Sequence, residues 1–372
     1  MEGADWNALN GRPVLVTGHT GFMGSWLTLW LHTLGAQVTG YALNPPSQPD
    51  HFHAARVDEL LVDDVRGDVR DGEKLARVVE RCGPEVIFHL AAQPLVREGL
   101  GQPRETFEVN VIGTAALCDA VRSAQHPCVV VVATSDKCYR NDGADRIFDE
   151  RDPLGGNDPY SASKAGTELV VAAYRASYFA PDRIAEHGVR LASVRAGNVI
   201  GGGDWAAHRI VPDSIRALAA GTDLIVRHPA SVRPWQHVLE PLSGYLSLAV
   251  RLLSEDAGAG LDDAWNFGPL ESQPSTVADL ASAVIAQWGS GRWVSGENTN
   301  RDPEAATLRI SIDKALTQLG WSPRWNFDET VTRTVAWYRA FYQEQPDSMQ
   351  DHSLRDIAAY QQASAIVGSR LP

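Results

Sequence analysis

The chain has 372 residues, 44% of them hydrophobic and 21% charged, enough for one large α/β domain with a smaller partner lobe, which excludes a disulfide-stapled miniprotein and a disordered chain. Its 33 Lys and Arg against 46 Asp and Glu give a formal charge of −13, so nucleic acid is not an expected partner. The four cysteines, Cys82, Cys118, Cys128 and Cys138, have no Cys-x-x-Cys spacing, which argues against a zinc knuckle or redox pair and fits a reducing cytoplasm.

In chain order, Met1 to Asn10 carries Glu2 and Asp5 and no apolar run of signal-peptide length. Pro13 to Thr17 reads as a first strand, Gly21 to Leu34 as a helix and Gln37 to Leu43 as a second strand. His51 and His53 flank Phe52 without further ligands, so they read as loop residues and no metal is expected. An amphipathic helix around Lys74 to Arg81 precedes a buried strand, Val86 to Leu90. Cys128 to Thr134 is another buried strand, and its apolar run, the longest in the chain, is far too short to cross a bilayer. Tyr160 to Ala176 reads as a long helix and Leu191 to Arg195 as a further strand of the same sheet. Gly201-Gly202-Gly203 then breaks the rhythm. Trp265 to Pro269 ends in a Gly-Pro turn before a helix from Thr276 to Trp288, and Gln343 to Pro372 reads as a peripheral helix.

Thr17-Gly18-His19-Thr20-Gly21-Phe22-Met23-Gly24 places three glycines where the first strand hands over to the first helix. Gly18 permits the tight turn, Gly21 the close approach of a pyrophosphate to the positive helix end, and Gly24 the packing of helix on sheet. The chain is therefore predicted to be an α/β protein with a doubly wound parallel sheet, the Rossmann arrangement, and a smaller mixed α/β C-terminal substrate lobe. Residues 1–195 form the dinucleotide-binding domain, with a return segment at about 240–268; residues 196–239 and 269–372 form the lobe. The second strand ends at Tyr41-Ala42-Leu43-Asn44 without the ribose-binding acid usual there, so Asn44 is the candidate ribose ligand and NAD is favoured over NADP without being fixed. Asp68, after a third strand, is a candidate for the adenine amino group, the alternative being that it is a solvated loop acid.

Tyr160-Ser161-Ala162-Ser163-Lys164 sets a phenol and an ammonium one turn apart on a helix. A cation beside a phenol lowers its pKa and yields a base that can take an alcohol proton while hydride leaves the same carbon. Thr134 closes the buried strand that precedes this pair.

With these motifs, the His-Leu-Ala-Ala segment His89 to Ala92 and Asn-Val-x-Gly-Thr as Asn110 to Thr114, the chain resembles the extended short-chain dehydrogenase/reductase family. That resemblance implies NAD held by Gly18, Thr20, Gly21, Phe22, Met23, Gly24, Asn44, Asp68 and Ala91. It further implies Thr134 as hydroxyl donor, Asn110 as structural and proton-relay residue, Tyr160 as base and Lys164 as ribose ligand and electrostatic partner. Three longer strings, Thr134 to Tyr139, Arg195 to Trp205 and Arg233 to Pro241, resemble the sugar-nucleotide 4,6-dehydratases, and Asp136-Lys137 resembles the branch acting on CDP-glucose. By that resemblance Asp136, kept protonated by burial, donates to a departing 6-hydroxyl. Lys137 takes the fifth-carbon proton if burial beside Lys164 leaves it neutral, or stays charged and steadies the enolate. Asn198, Arg209, Arg233 and His237 are candidate ligands of the nucleotide sugar, and Trp205 and Trp235 are walls or core.

Two stretches depart from the dehydratase pattern: Glu98 to Pro103 lacks its Ser-Tyr pair, and Arg301 to Ala306 lacks the histidines of the CDP branch. An epimerase or other oxidoreductase on the same scaffold, and a non-catalytic NAD-binding sensor or scaffold, remain alternatives. A homodimer through the long helices is the family's expectation, with no membrane partner.

Overall fold

The computed structural model describes residues 5–143, 146–254, 260–270, 275–296 and 307–365. Its centre is a seven-stranded, wholly parallel sheet: β1 (Pro13–Thr17), β2 (Gln37–Ala42), β3 (Asp63–Arg66), β4 (Val86–His89), β5 (Cys128–Ala133), β6 (Val189–Ala196) and β7 (Ala264–Phe267), in the spatial order β7-β6-β5-β4-β1-β2-β3. The order reverses beside β1, so the crevice between the carboxyl ends of β1 and β4 is where a doubly wound sheet binds ligands. Thr17, last in β1, lies opposite Tyr41 on one side and His89 on the other.

Alternation along the strands builds two cores, because successive side chains leave a strand on opposite faces. Val129 and Val131 pack into one cluster with Trp26, Leu242 and Trp265; Val130 and Val132 pack into the other with Leu117, Val121 and Val171. The helices on the first face include α1 (Phe22–Thr33); on the second lie α2 (Gly72–Cys82), α3 (Gly113–Ala124) and α4 (Pro159–Ser177). Local chemistry starts α4 where the sequence reading puts it. Asp158 caps the backbone N–H of Ser161 at 3.0 Å and Pro159 stands in the first turn, where its missing N–H costs nothing.

After β6 come α5 (Ile210–Ala219), α6 (Leu239–Leu253), α7 (Val277–Trp288), α8 (Phe327–Arg339) and α9 (Gln350–Gln362). Three two-stranded pairs accompany them: Val199–Ile200 with Gln236–His237, Val232–Arg233 with Ser275–Thr276, and Leu224–Val226 with Trp293–Ser295.

Two expectations are corrected here. The C-terminal helix is not peripheral: on α9, Tyr360 is fully buried and its hydroxyl donates to Glu240 of α6 at 2.6 Å; residues 366–372 lie outside the described residues. His51 is not a loop residue either. It opens a short helix, His51–Ala54, is buried between Ser25 (2.9 Å) and Ser353 (3.0 Å), and stacks on Trp26 at 4.6 Å. Burial holds its imidazole down at about 3. Among the described residues no His/Cys/Asp/Glu group could hold a metal ion, and no helix is long and apolar enough to cross a membrane.

Candidate active site

One cavity of about 790 Å³ runs from the β1–α1 turn across the carboxyl ends of β4 and β5 to the segment around Arg209 and Arg233. Every predicted site residue except Asn110 and His237 lines it.

At one end the backbone makes the site. Gly18 has φ +77°, and a Cβ there would come within 2.6 Å of the Ala91 nitrogen; a Cβ at Gly24 would come within 2.1 Å of the Gly18 oxygen. Side chains are thus excluded where turn, helix and β4 meet. Gly21 caps α1 without a side chain, so the first amides of α1 are left to the cavity, a ready position for a pyrophosphate. Thr20 donates to Leu43 at 2.9 Å, tying the turn to β2. Asn44 is exposed on the rim. The hydrogen bonds from Arg70 hold the Asp68 carboxylate below its usual range despite partial burial. This cradle fits NAD.

At the other end side chains make the site. Tyr160 is buried, and burial pushes its phenol up to about 12, against a hydrogen bond from Ser135 that lowers it. Lys164 is pushed down to about 8 by burial, with Glu168 its main opposing charge, and its ammonium donates to Ala133 at 3.2 Å. The phenol is therefore not lowered by Lys164 as the spacing predicts: desolvation dominates, and the cation that favours its ionised form is Arg209.

The strand end is also rearranged relative to expectation. Thr134 lines the cavity but turns its hydroxyl to Glu168 (2.5 Å) and the Val194 carbonyl (3.1 Å). Ser135 is the hydroxyl that meets Tyr160. Strand parity explains the exchange. Thr134 continues the face of Val130 and Val132, which packs under α4, whereas Ser135 continues the opposite face. Asp136 is 2% exposed, and burial raises its carboxyl to about 6, against the cations Lys137 and Arg233. Its Oδ1 accepts from Ser135 at 3.1 Å while Oδ2 has no hydrogen-bond partner. Lys137 is half-buried on the same wall, and its charge acts on Asp136.

Around this centre, Arg233 is buried near Asp136, and Arg209 is paired with Asp204 at 2.9 Å. Asn198 lines the same cavity, as do Trp205 and Trp235, both buried. His237 goes elsewhere: fully buried, it packs its ring on Trp26 (6.0 Å) and Trp325 (4.8 Å), and Nδ1 accepts from Leu239. Burial holds it at about 3, a core histidine rather than a substrate ligand. Asn110 sits in a π-helical turn, Glu108–Ile112, with both amide protons engaged, on the Gln93 carbonyl (3.1 Å) and Ser163 (2.8 Å); this ties α4 to the segment after β4 and leaves no proton for a relay. His89 is buried between Thr17 (2.7 Å) and Thr114 (3.2 Å). The Glu98–Pro103 stretch brings Glu98 to the cavity beside Arg97 and sets Gly99 against Tyr160. Arg301 to Ala306 lie outside the described residues.

The chain is 46% identical over 360 residues to the CDP-glucose 4,6-dehydratase of Salmonella typhimurium, covering 97% of this chain and 99% of that one. A dTDP-glucose 4,6-dehydratase of Streptomyces griseus is 29% identical, over 87% of this chain and 93% of that one. Among solved structures, the dTDP-glucose 4,6-dehydratase of Streptomyces venezuelae, determined with NAD bound, superposes with a TM-score of 0.73 at 26% identity, over 90% of this chain and 99% of that chain. The sequence profile described as GDP-mannose 4,6 dehydratase matches residues 15–334. The extended short-chain dehydrogenase/reductase likeness of the motifs thus resolves to one branch, and the chain belongs to the GDP-mannose 4,6 dehydratase family.

Proposed function

We propose that the protein is an NAD-dependent lyase that converts CDP-glucose to CDP-4-keto-6-deoxyglucose. One observation carries this reading beyond the family: a buried, protonatable carboxyl, Asp136, stands beside the Tyr160–Ser135 pair with one oxygen free of partners. Oxidation at one carbon needs the phenol; expulsion of water needs an acid as well, and a 4-epimerase needs none. The 46% identity to a CDP-glucose 4,6-dehydratase supports the choice of sugar nucleotide.

Bound NAD supplies the hydride acceptor and later returns the hydride. Tyr160, ionised with the help of Arg209 and the Ser135 hydrogen bond against the burial that raises it, takes the proton of the sugar 4-hydroxyl, with Ser135 sharing that proton. The 4-ketone acidifies the neighbouring C5–H, and Lys137, on the wall beside Asp136, takes that proton or steadies the enolate it leaves. Asp136 gives its proton to the leaving 6-hydroxyl. With a proton restored to the fifth carbon and the hydride that bound NAD would give back to the sixth, the sugar has lost one water, and the proton taken by Tyr160 re-forms the acid of Asp136. Arg209 and Arg233 hold the diphosphate with Asn198, and residues 196–239 and 269–372 act as the substrate lobe over a dinucleotide-binding domain of residues 1–195. Exposed Leu169 on α4 and Ile112 before α3 support a homodimer through the long helices, and the four free cysteines accord with a reducing cytoplasm.

Incubating the purified protein with NAD and CDP-glucose tests the reading. The expected product is lighter by one water. No turnover of CDP-glucose, with dehydration of another nucleotide sugar instead, would reassign the substrate.

A further inference from the structure

Behind the catalytic helix lies a second buried carboxylate. Tyr160, Lys164 and Glu168 occupy one face of α4 at successive turns. The Glu168 side chain is 3% exposed, and its oxygens accept from Thr134 at the end of β5 (2.5 Å), from Ser193 of β6 (2.7 Å) and from Arg195 of β6 (2.8 Å). Arg195 is equally buried, and its other amino group donates to the Tyr139 hydroxyl at 2.8 Å and the Glu150 carbonyl at 3.2 Å. The seam thus joins the helix bearing Tyr160 and Lys164 to the strand ends bearing Ser135, Asp136 and Asn198. Only four of the 33 basic residues are lysines, namely Lys74, Lys137, Lys164 and Lys314, and two of these line the cavity.

We propose that Glu168 is a positioning residue for the reaction, the anion that keeps Lys164 an ammonium in a desolvated pocket, with Arg195 holding it ionised. The proposal rests on the dehydratase reading for what Lys164 does, but not for its charge. The charged and titratable groups facing Lys164 are few: Glu168 one turn below and Tyr160 one turn above on its own helix, the neutral His89 from β4 and the buried thiol of Cys138 after β5. Burial favours the neutral amine and drives Lys164 down to about 8; Glu168 is the strongest opposing influence. Glu168 itself is held below its usual range by Arg195, although burial acts the other way. A seam that served only to staple helix to sheet would not need to set its charge one turn below the lysine.

The test reads Lys164 directly. In protein labelled with carbon-13 at the lysine ε position, four resonances are expected, with Lys164 assigned by its loss in Lys164→Arg. In Glu168→Gln the Lys164 midpoint should fall by about one pH unit or more, since an anion one turn away is exchanged for a neutral amide. Lys74 and Lys314 should not move. The alkaline limb of kcat/KM with NAD and CDP-glucose should move the same way, and Glu168→Asp should recover part of both. Should the unpaired Arg195 unfold the single variant, Glu168→Gln combined with Arg195→Met removes both charges, and its Lys164 midpoint should still lie below that of the wild type. An unchanged Lys164 midpoint in either folded variant overturns the proposal. The resonance measurement needs neither cofactor nor sugar, so failure of wild-type protein to turn over CDP-glucose would sink the dehydratase reading and leave this test standing.

Discussion

The two sides of the β5 end each hold a buried carboxyl, and their fates are opposite. Asp136, facing the cavity, has cations nearby but one oxygen without a hydrogen bond, and burial raises it to about 6. Glu168, in the seam behind α4, is saturated by Arg195, Thr134 and Ser193 and is held below its ordinary value. Equal burial therefore does not decide whether a carboxyl is an acid or a fixed anion; the number of donors aimed at it does. A carboxyl left short of partners is available for proton donation, and a carboxyl given every partner becomes part of the scaffold.

The contrast is broken most severely by activity. Asp136→Asn should lower dehydration of CDP-glucose by about 10³-fold, roughly 4 kcal/mol, while the amide retains the shape of the wall. Reduced nicotinamide should still form on mixing, followed by absorbance near that of NADH; full dehydration by this variant would remove Asp136 from the acid's role.

Stability gives the next effect, with opposite signs on the two sides. Glu168→Gln should destabilise the protein by about 3–5 kcal/mol at neutral pH, because Arg195 is left as an uncompensated buried cation. The Glu168 contribution is present above its ordinary value of 4.5 and is lost as pH falls below it through the folded value. Asp136 behaves in reverse. Its folded value of about 6 exceeds the ordinary 3.8, so the unfolded chain gives up this proton first and stability declines as pH rises from about 4 to about 6. Asp136→Asn should therefore raise stability by about 3 kcal/mol at pH 7 and lose that gain by about pH 4. Denaturant melts across this range check both signs, and a destabilised Asp136→Asn at pH 7 would contradict the account of its burial.

Smaller effects sharpen the split at the strand end. Ser135→Ala should reduce kcat/KM about 10²-fold through the lost hydrogen bond to Tyr160, whereas Thr134→Val should act mainly on stability, by about 1–3 kcal/mol, through the Glu168 bond. Equal kinetic losses would erase the distinction between the two hydroxyls. Least of all should His237→Gln matter to binding: KM for CDP-glucose should stay within about twofold, with a stability loss of about 1–2 kcal/mol from the disturbed core.

What the sequence makes legible follows from how local each constraint is. The glycine turn is readable because close backbone approaches at Gly18 and Gly24 exclude any side chain, and that exclusion is written in residue type. Tyr160 and Lys164 are readable because one helical turn fixes their relation. Ser135 is hidden beside Thr134, since both carry a hydroxyl at the strand end; the alternation of Val129 to Val132 between the two cores was the signal that separates them. Glu168 is the third rung of the same four-residue ladder, but its meaning depends on Ser193 and Arg195, supplied by a strand more than twenty residues later. His237 follows a motif rich in site residues and yet enters the core, because Trp26 and Trp325, distant in sequence, form its surroundings.

CDP-glucose carrying deuterium on the fourth carbon, incubated with the protein and NAD, tests the whole scheme at once. A product lighter by one water with the deuterium on its sixth carbon is the predicted result, since the hydride removed in the Tyr160-assisted oxidation is the one returned after water leaves. Substrate recovered with its water intact, whether unchanged or inverted at the fourth carbon, would contradict it.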